Sequence, residues 1–403
     1  MPKPKVAVIG SGITGIAACY ALQNYANVQL FEAQPRLGGH THTIAVDATT
    51  NIDTGFIVLN DKNYPLFSEF LRKLSVPTQA SDMSFGYHDG GYYYTSDGLR
   101  GIIGSRWWSP QHWKIIQTIP QFNRTTLTDL SNLGTLSLKE YLAKKQYPEV
   151  FIKRYLIPMG AAIWSCPNDA VLNFPAQSFF AFWDNHCLLQ IKNRPQWRTV
   201  CGGSQRYLDA FQNQFSGTIH TQSPIQSVIQ SGETAIVQTT TESIAVDRVL
   251  IATQADQAHA CLQNHPLRDV LAPWRYTTNR VTVHTDTKIM PKTNPREWAS
   301  WTVHHTSPHC HVSYYMNRLH ALPQTHPHYF VTLNNPNTIQ PSTILNDRTE
   351  RHPVFDQPSL DSQPALRHQK PPIFVAGSYM GYGFHEDGFQ WGTHSAHQLL
   401  DSL

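Results

Sequence analysis

The stretch that most constrains this chain is its beginning. There the apolar run Val6-Ala7-Val8-Ile9 passes directly into Gly10-Ser11-Gly12-Ile13-Thr14-Gly15 and then into Ile16-Ala17-Ala18-Cys19-Tyr20-Ala21-Leu22. Four apolar residues closed by glycines predict a buried strand and a tight turn, and the spacing that follows predicts a helix. Each glycine of the G-x-G-x-x-G pattern has its own reason: Gly10 makes the turn, Gly12 lets a pyrophosphate approach the backbone, and Gly15 lets the helix close on the strand. The helix then points its free N–H groups, at Ile13 and Thr14, and its positive dipole end toward the phosphates. A second strand, Val28-Gln29-Leu30-Phe31, ends on Glu32, where a carboxylate can accept the ribose hydroxyls of an adenosine. Strand, turn, helix, strand and acid in this register predict a dinucleotide site. The competing reading is a plain βαβ packing unit with incidental glycines.

After Glu32 come Ala33-Gln34-Pro35-Arg36-Leu37-Gly38-Gly39-His40. A second glycine turn brings more backbone N–H groups to the same pyrophosphate, and Arg36 can add charge to it. On these residues the chain resembles the flavin-dependent amine oxidase and carotenoid desaturase superfamily, whose members carry an acid, a basic residue and a Gly-Gly pair here. Most of that superfamily has an arginine directly after the pair. This chain has His40 within Gly39-His40-Thr41-His42-Thr43, which resembles one bacterial branch of predicted NAD/FAD-binding oxidoreductases. The resemblance implies an α/β fold, with a Rossmann-type FAD-binding domain built on a parallel sheet and interleaved with an α+β substrate domain, as in amine oxidases. It implies FAD as cofactor, held by Gly10, Gly12, Ile13, Thr14, Gly15, Glu32, Ala33, Arg36, Gly38, Gly39, His40, Thr54, Gly55, Val228, Gly377, Ser378, Gly388 and Phe389.

A length of 403 residues suits two domains, or one interrupted by another. Forty per cent hydrophobic and 15% charged residues describe an ordinary folded core under a sparsely charged surface. A formal charge of +3 and a pI near 8.4 are too mild for a nucleic-acid partner, and no basic arm is present. The 21 histidines read as a compositional habit, since His304-His305 and His309 lack a spaced partner set, and no metal is expected. The N-terminus enters a strand after five residues, which leaves no room for a signal peptide, and no run of 18 apolar residues occurs. The expectation is a cytoplasmic protein, with peripheral contact at the inner face of the membrane left open, as is the oligomeric state. Six cysteines without a C-x-x-C pair read as reduced and structural.

Taken in order, the expected segments are 1–60 (FAD domain), 61–195 (substrate or cap domain), 196–270 (FAD domain), 271–365 (substrate domain) and 366–403 (FAD domain). Residues 51–58 read as a strand, with Asp53-Thr54-Gly55 matching the superfamily's position beside the flavin ring. A helix is expected from Asn63-Tyr64-Pro65 to Leu74. The uncharged tract 155–165, the aromatic run 179–183 and the Trp-rich stretch 106–113 read as core or cavity wall. Cys201-Gly202-Gly203-Ser204 opens a helix over 205–215 that returns to the first domain. Val228 lies where relatives pack backbone against adenine. Residues 235–239 and 243–246 form a small ribbon, and 247–253 form a central strand. Polar–apolar alternation from Asn279 to Thr285, with Trp298, Trp301 and residues 312–317 and 329–333, predicts one further sheet. The Pro-rich tract after Asn335 and the polar stretch to Gln369 read as loops. The strand and glycine loop at 373–388 lead into a helix from Gly388 whose N-terminus faces the flavin.

No hydrolase, zincin or NTPase pattern is present. Only one complete glycine fingerprint occurs, so a nicotinamide is not expected as reductant. Amine oxidases place a lysine on the strand matching 279–285, where this chain has Arg280 and no lysine before Lys288. Candidate catalytic residues are His385, Glu386, Arg280 and Tyr314, each with a structural alternative. The expected activity is FAD-dependent dehydrogenation of an apolar, fatty acyl or lipid-like substrate, with a hydride passing to flavin N5. The alternatives are a flavin amine oxidase acting on a primary amine or polyamine, and a structural flavin in a lipid- or partner-binding protein.

Overall fold

A computed structural model describes residues 2–103, 108–164, 168–190, 194–306, 309–335 and 338–403. Its first sheet has five strands, all parallel, in the order Ile373–Val375, Arg248–Ile251, Lys5–Ile9, Asn27–Phe31, Thr218–His220. The strand Lys5–Ile9 is central because it can be: four of its five residues are buried, as a strand covered on both faces requires. Its end turns at Gly10, whose φ of +98° suits glycine, into the helix Ile13–Leu22. A side-chain carbon on Gly15 would lie 1.9 Å from the Gly10 carbonyl oxygen, so only glycine lets the helix sit this close. The C-terminal helix His385–Asp401 packs across the first helix by the same device. A carbon on Gly392 would lie 2.2 Å from the Thr14 carbonyl oxygen, and one on Gly388 would lie 2.7 Å from Ile13.

The second sheet has seven strands in the order Ile344–Pro353, Tyr276–His284, Phe330–Leu333, His309–Tyr315, Trp301–Thr306, Phe85–His88, Tyr93–Thr95. All its pairings are antiparallel except Trp301–Thr306 with Phe85–His88. A three-stranded ribbon, Ser227–Ser231, Thr234–Gln238 and Ser243–Val246, completes the β-structure expected around 225–246. The uncharged tract is helical from Tyr155 through Trp164 and buried there except at Ile163, and Ala176–Asn185 buries Phe179, Phe180, Phe182 and Trp183.

Three local expectations differ. The stretch after Asn335 is not all loop: Ile344–Pro353 is a sheet-edge strand, and Gln357–Leu366 is a helix capped by Asp356, whose carboxylate accepts from Ser359 N–H. Pro358 falls in the first turn, where no donor is needed. Of residues 51–58 only Asn51–Asp53 forms a strand. The C-terminal helix begins at His385, three residues before Gly388. Arg106 and Trp107 lie outside the described residues. Trp108 and Trp113 are 62% and 41% exposed and do not line the cavity described below.

Candidate active site

Between the two sheets lies one cavity of about 1120 Å³, larger than the few hundred to about 1,000 Å³ that a single small-molecule site usually occupies. Gly10, Gly12, Ile13, Thr14, Glu32, Ala33, Arg36, Gly38, Gly39, His40, Thr54, Gly55, Gly377 and Ser378 line it. A carbon built on Gly12 meets no heavy atom within 4 Å, so the space in front of the first helix's N-terminus is open. Glu32 ends the second strand beside that space, accepting hydrogen bonds from the Ser11 N–H (3.0 Å) and hydroxyl and from the Gln34 N–H (2.8 Å). Two helix N-termini converge here, since Phe384 and His385 at the start of the C-terminal helix also line the cavity.

Arg36 braces the second glycine turn from inside. Its guanidinium donates to the carbonyl oxygens of Leu37 (3.2 Å), Gly39 (2.9 Å) and Thr41 (2.9 Å), and burial lowers its pKa. His40 reaches the sheet edge: Nε2 donates to the Arg351 carbonyl oxygen at 2.8 Å, with Glu350 at 3.5 Å. Glu350 also pairs with Arg348.

Four of the expected cofactor residues stand back from the cavity. Gly15 serves the helix–strand contact alone. Val228 is fully buried in the ribbon, its carbonyl accepting from Gln263 N–H (3.3 Å), and Ile225 and Gln226 take the cavity wall instead. Gly388 and Phe389 lie within the C-terminal helix, where Gly388 faces Ile13 and Thr14. Asp53 is likewise behind the wall, fully buried, accepting from Thr43 and from the Ser204 N–H and hydroxyl. Burial raises its pKa against the pull of His320.

The catalytic candidates separate. Arg280 is corrected: strand parity sends Val281 into the cavity and Arg280 to the opposite face, where it binds Asp347 through Nε (2.9 Å) and Nη2 (2.6 Å). Glu386 is corrected too. Its carboxylate accepts from the N–H groups of Leu66 (2.9 Å) and Phe67 (3.0 Å), capping the helix Pro65–Lys73, and it does not line the cavity. Tyr314 and His385 do line it. Burial pushes the Tyr314 phenol up to about 12, so it is a neutral donor. His385 stacks on Phe56 (3.9 Å between centroids) and meets the Tyr207 hydroxyl through Nε2 (3.2 Å). Burial, and secondarily His40, lower its pKa to about 3.

The structure adds His186, which carries no sequence signal. It lines the cavity, stacks on Phe182 at 3.8 Å, and donates from Nδ1 to the Phe182 carbonyl oxygen at 3.0 Å. Burial lowers its pKa to about 4. The second sheet and the inserted helices contribute an apolar wall that includes Ile57, Met83, Ile163, Trp164, Leu188, Trp301, Leu319 and Leu333. Glu32 and Glu350 are the only carboxylates lining the cavity among the described residues, and no lysine does. No group of three or more potential metal ligands is found among the described residues.

A five-stranded parallel sheet, a glycine-lined mouth shared by two helix N-termini and an acid at the end of the second strand define a dinucleotide-binding flavoprotein of the Rossmann class. The family described as flavin containing amine oxidoreductase matches residues 13–310, and the chain belongs to it. It is an FAD-dependent oxidoreductase, and the open space at Gly12 beside Glu32 fits that cofactor. Among solved structures it is similar to putrescine oxidase bound to putrescine (TM-score 0.72, 14% identity, 99% of each chain). Cyclohexylamine oxidase from Brevibacterium oxydans gives a TM-score of 0.71 at 14% identity over 99% of each chain. A CLA-producing fatty acid isomerase from P. acnes gives 0.70 at 12% identity over 98% of each. At these identities the likeness establishes the fold. No curated protein sequence matches. No helix among the described residues is long and apolar enough to cross a membrane.

Proposed function

We propose that the enzyme dehydrogenates an elongated apolar substrate, a fatty acyl or similar lipid-like chain. The observation that carries this reading is the composition of the cavity wall. Beyond the glycine-rich mouth and the polar edge formed by Gln254 and residues 348–352 it is largely aliphatic and aromatic, and its two carboxylates are already engaged, Glu32 by Ser11 and Glu350 by Arg348 and His40. A cationic amine would find no free acid there to replace its hydration. An acyl chain needs none, gaining about 0.8 kcal/mol for each methylene buried.

When bound, FAD supplies the acceptor for a hydride from a substrate C–H bond. The wall holds the chain against it and excludes water. A dehydrogenation also releases a proton from the adjacent carbon, and His186 takes it. Because Nδ1–H donates to a carbonyl, the tautomer is fixed and Nε2 keeps its lone pair. With a pKa near 4 the imidazole is neutral at pH 7. One hydride and one proton leave, and a carbon–carbon double bond forms. Substrates of this class reside in membranes, so contact with a lipid surface accompanies the reading. The fold shared with a fatty acid isomerase supports an acyl substrate, and the fold shared with two amine oxidases makes an amine the competitor.

The test is product analysis. Holoenzyme incubated aerobically with a panel of acyl lipids and amines should return a lipid lighter by two hydrogens and leave the amines intact. Ammonia released from an amine with every lipid unchanged would overturn the proposal. Turnover of neither class would leave the flavin structural.

A further inference from the structure

Lys62 and Cys187 meet behind the wall of the cavity, which their neighbours Tyr64, His186 and Leu188 line, and neither belongs to the cofactor cradle. Lys62 sits in a bend held by Asn60, whose side-chain oxygen accepts from the N–H groups of Lys62 (3.1 Å) and Asn63 (2.8 Å). Lys62 is exposed, yet its Nζ reaches Cys187 Sγ at 2.9 Å. Cys187 is 1% exposed and adopts φ +57°, a region that residues other than glycine seldom enter. The same two segments are tied again where Asn63 Nδ2 donates to the Asn185 carbonyl oxygen at 2.7 Å. Both segments carry cavity residues: Tyr64 follows the bend, and His186 and Leu188 flank the cysteine.

A thiol in contact with a primary amine has a defined oxidative chemistry. We infer that Lys62 and Cys187 are a modification site at which hydrogen peroxide drives a covalent cross-link. Cys187 sulfur attacks a peroxide oxygen, the O–O bond breaks, and water leaves as the thiol becomes a sulfenic acid. Lys62, whose pKa the hydrogen bond to the thiol raises, first gives a proton to solvent; its nitrogen then attacks that sulfur, the S–OH bond breaks, and the hydroxyl departs with an amine proton as a second water. One thiol, one amine and one peroxide give one S–N bond and two waters. The thiol is oxidised by two electrons and the peroxide reduced by two. Lys62 is exposed, so the pair lies against solvent and peroxide approaches from that side. The cross-link fixes the bend bearing Tyr64 to the turn bearing His186, so the wall at this point no longer parts.

The three other cysteines whose side chains are described give internal contrasts. Cys19 and Cys261 are buried, and burial raises both thiols. Cys201 is more exposed than Cys187, but its sulfur faces the Gln79 side-chain oxygen at 3.7 Å, not an amine.

The experiment treats the FAD-loaded full chain with hydrogen peroxide, quenches it without reductant, digests with trypsin and identifies peptides by mass spectrometry. Wild type should yield a joined peptide pair lighter than the sum of its parts by two hydrogens, uncut at Lys62, and separated again by dithiothreitol. Cys187→Ser and Lys62→Arg should both lack it, and in Lys62→Arg Cys187 should proceed to sulfinic acid. The flavin absorbance of each variant reports that it has folded. Wild-type Cys187 reaching sulfinic acid with no peptide joined to Lys62 would overturn the inference, as would Cys187 staying reduced while Cys201 is oxidised.

Discussion

Two glycines three residues apart should fail in opposite ways when enlarged. At Gly12 the backbone has φ −64° and ψ 176°, which any L-residue can adopt, and a side-chain carbon meets nothing within 4 Å. Gly12→Val should therefore fold, at a cost of no more than about 1 kcal/mol for a poorer helix cap. The added carbons occupy the space a pyrophosphate needs, however. Overpacking costs about 1–3 kcal/mol, and displaced N–H donors to a charged group cost about 1.5–3 more. The sum, about 2.5–6 kcal/mol, weakens FAD binding on the order of 10²- to 10⁴-fold. At Gly15 the added carbon would lie 1.9 Å from the Gly10 carbonyl oxygen, a backbone atom that cannot move without carrying the strand. Gly15→Ala should lose at least about 3 kcal/mol of folding stability. The assay is FAD titration by fluorescence quenching together with thermal unfolding of the apoprotein. Gly12→Val binding FAD with wild-type affinity, or Gly15→Ala melting like wild type, would refute this account of the turn.

Glu386→Gln removes the charged cap on the helix Pro65–Lys73 and should cost about 0.5–2 kcal/mol in denaturant unfolding, while substrate reduction of the flavin stays within about twofold. A much slower flavin reduction would return Glu386 to catalysis. Acid should destabilise the protein. His385 and His352, lowered to about 3, and His186, lowered to about 4, exclude in the fold a proton that the unfolded chain takes up below about pH 6.5. Their stability is complete above that pH and is lost as pH falls toward 4, by about 1.4 kcal/mol per unit for each. Asp387, raised to about 6 by burial, acts oppositely and offsets one of the three between pH 6 and 4. Thermal unfolding from pH 7 to 4.5 measures the balance, and a flat profile would contradict it. His186→Gln should lower kcat on the order of 10²- to 10⁴-fold with little change in KM, and wild-type kcat should fall on the acid side only near pH 4, where the base takes up a proton. An unchanged kcat would remove His186 from the proton transfer.

The nucleotide half of the fold was legible because its signals are local. Strand, glycine turn, helix and Glu32 follow one another within 28 residues, Lys5 to Glu32, and Gly15 answers Gly10 in that same stretch. The unread parts depend on contacts distant in sequence. Ile344–Pro353 looks like loop because it is a polar edge strand whose ionic residues are satisfied by Arg280, His40 and one another. Gln357–Leu366 hides its helix behind Pro358 and Pro364, which are tolerated near its first turn and its last. Arg280 missed the cavity by one residue of strand parity, since Val281 points inward. Glu386 lies in the first turn of the C-terminal helix but caps another helix 320 residues earlier. His186 follows a Trp-Asp-Asn run with no motif and gains its position from the fold of Ala176–Asn185 against Phe384.

The central claim is that an FAD oxidoreductase of this family uses its apolar wall to present a hydrocarbon-like chain to the flavin. The most direct measurement is the reductive half-reaction. Under anaerobic conditions, holoenzyme is mixed in a stopped-flow instrument with unsaturated or methyl-branched acyl lipids in one series and with polyamines and aromatic amines in another, and the oxidised flavin band is followed. The account predicts saturable bleaching by an acyl lipid and none by the amines. Bleaching by an amine with no response to any lipid would contradict it.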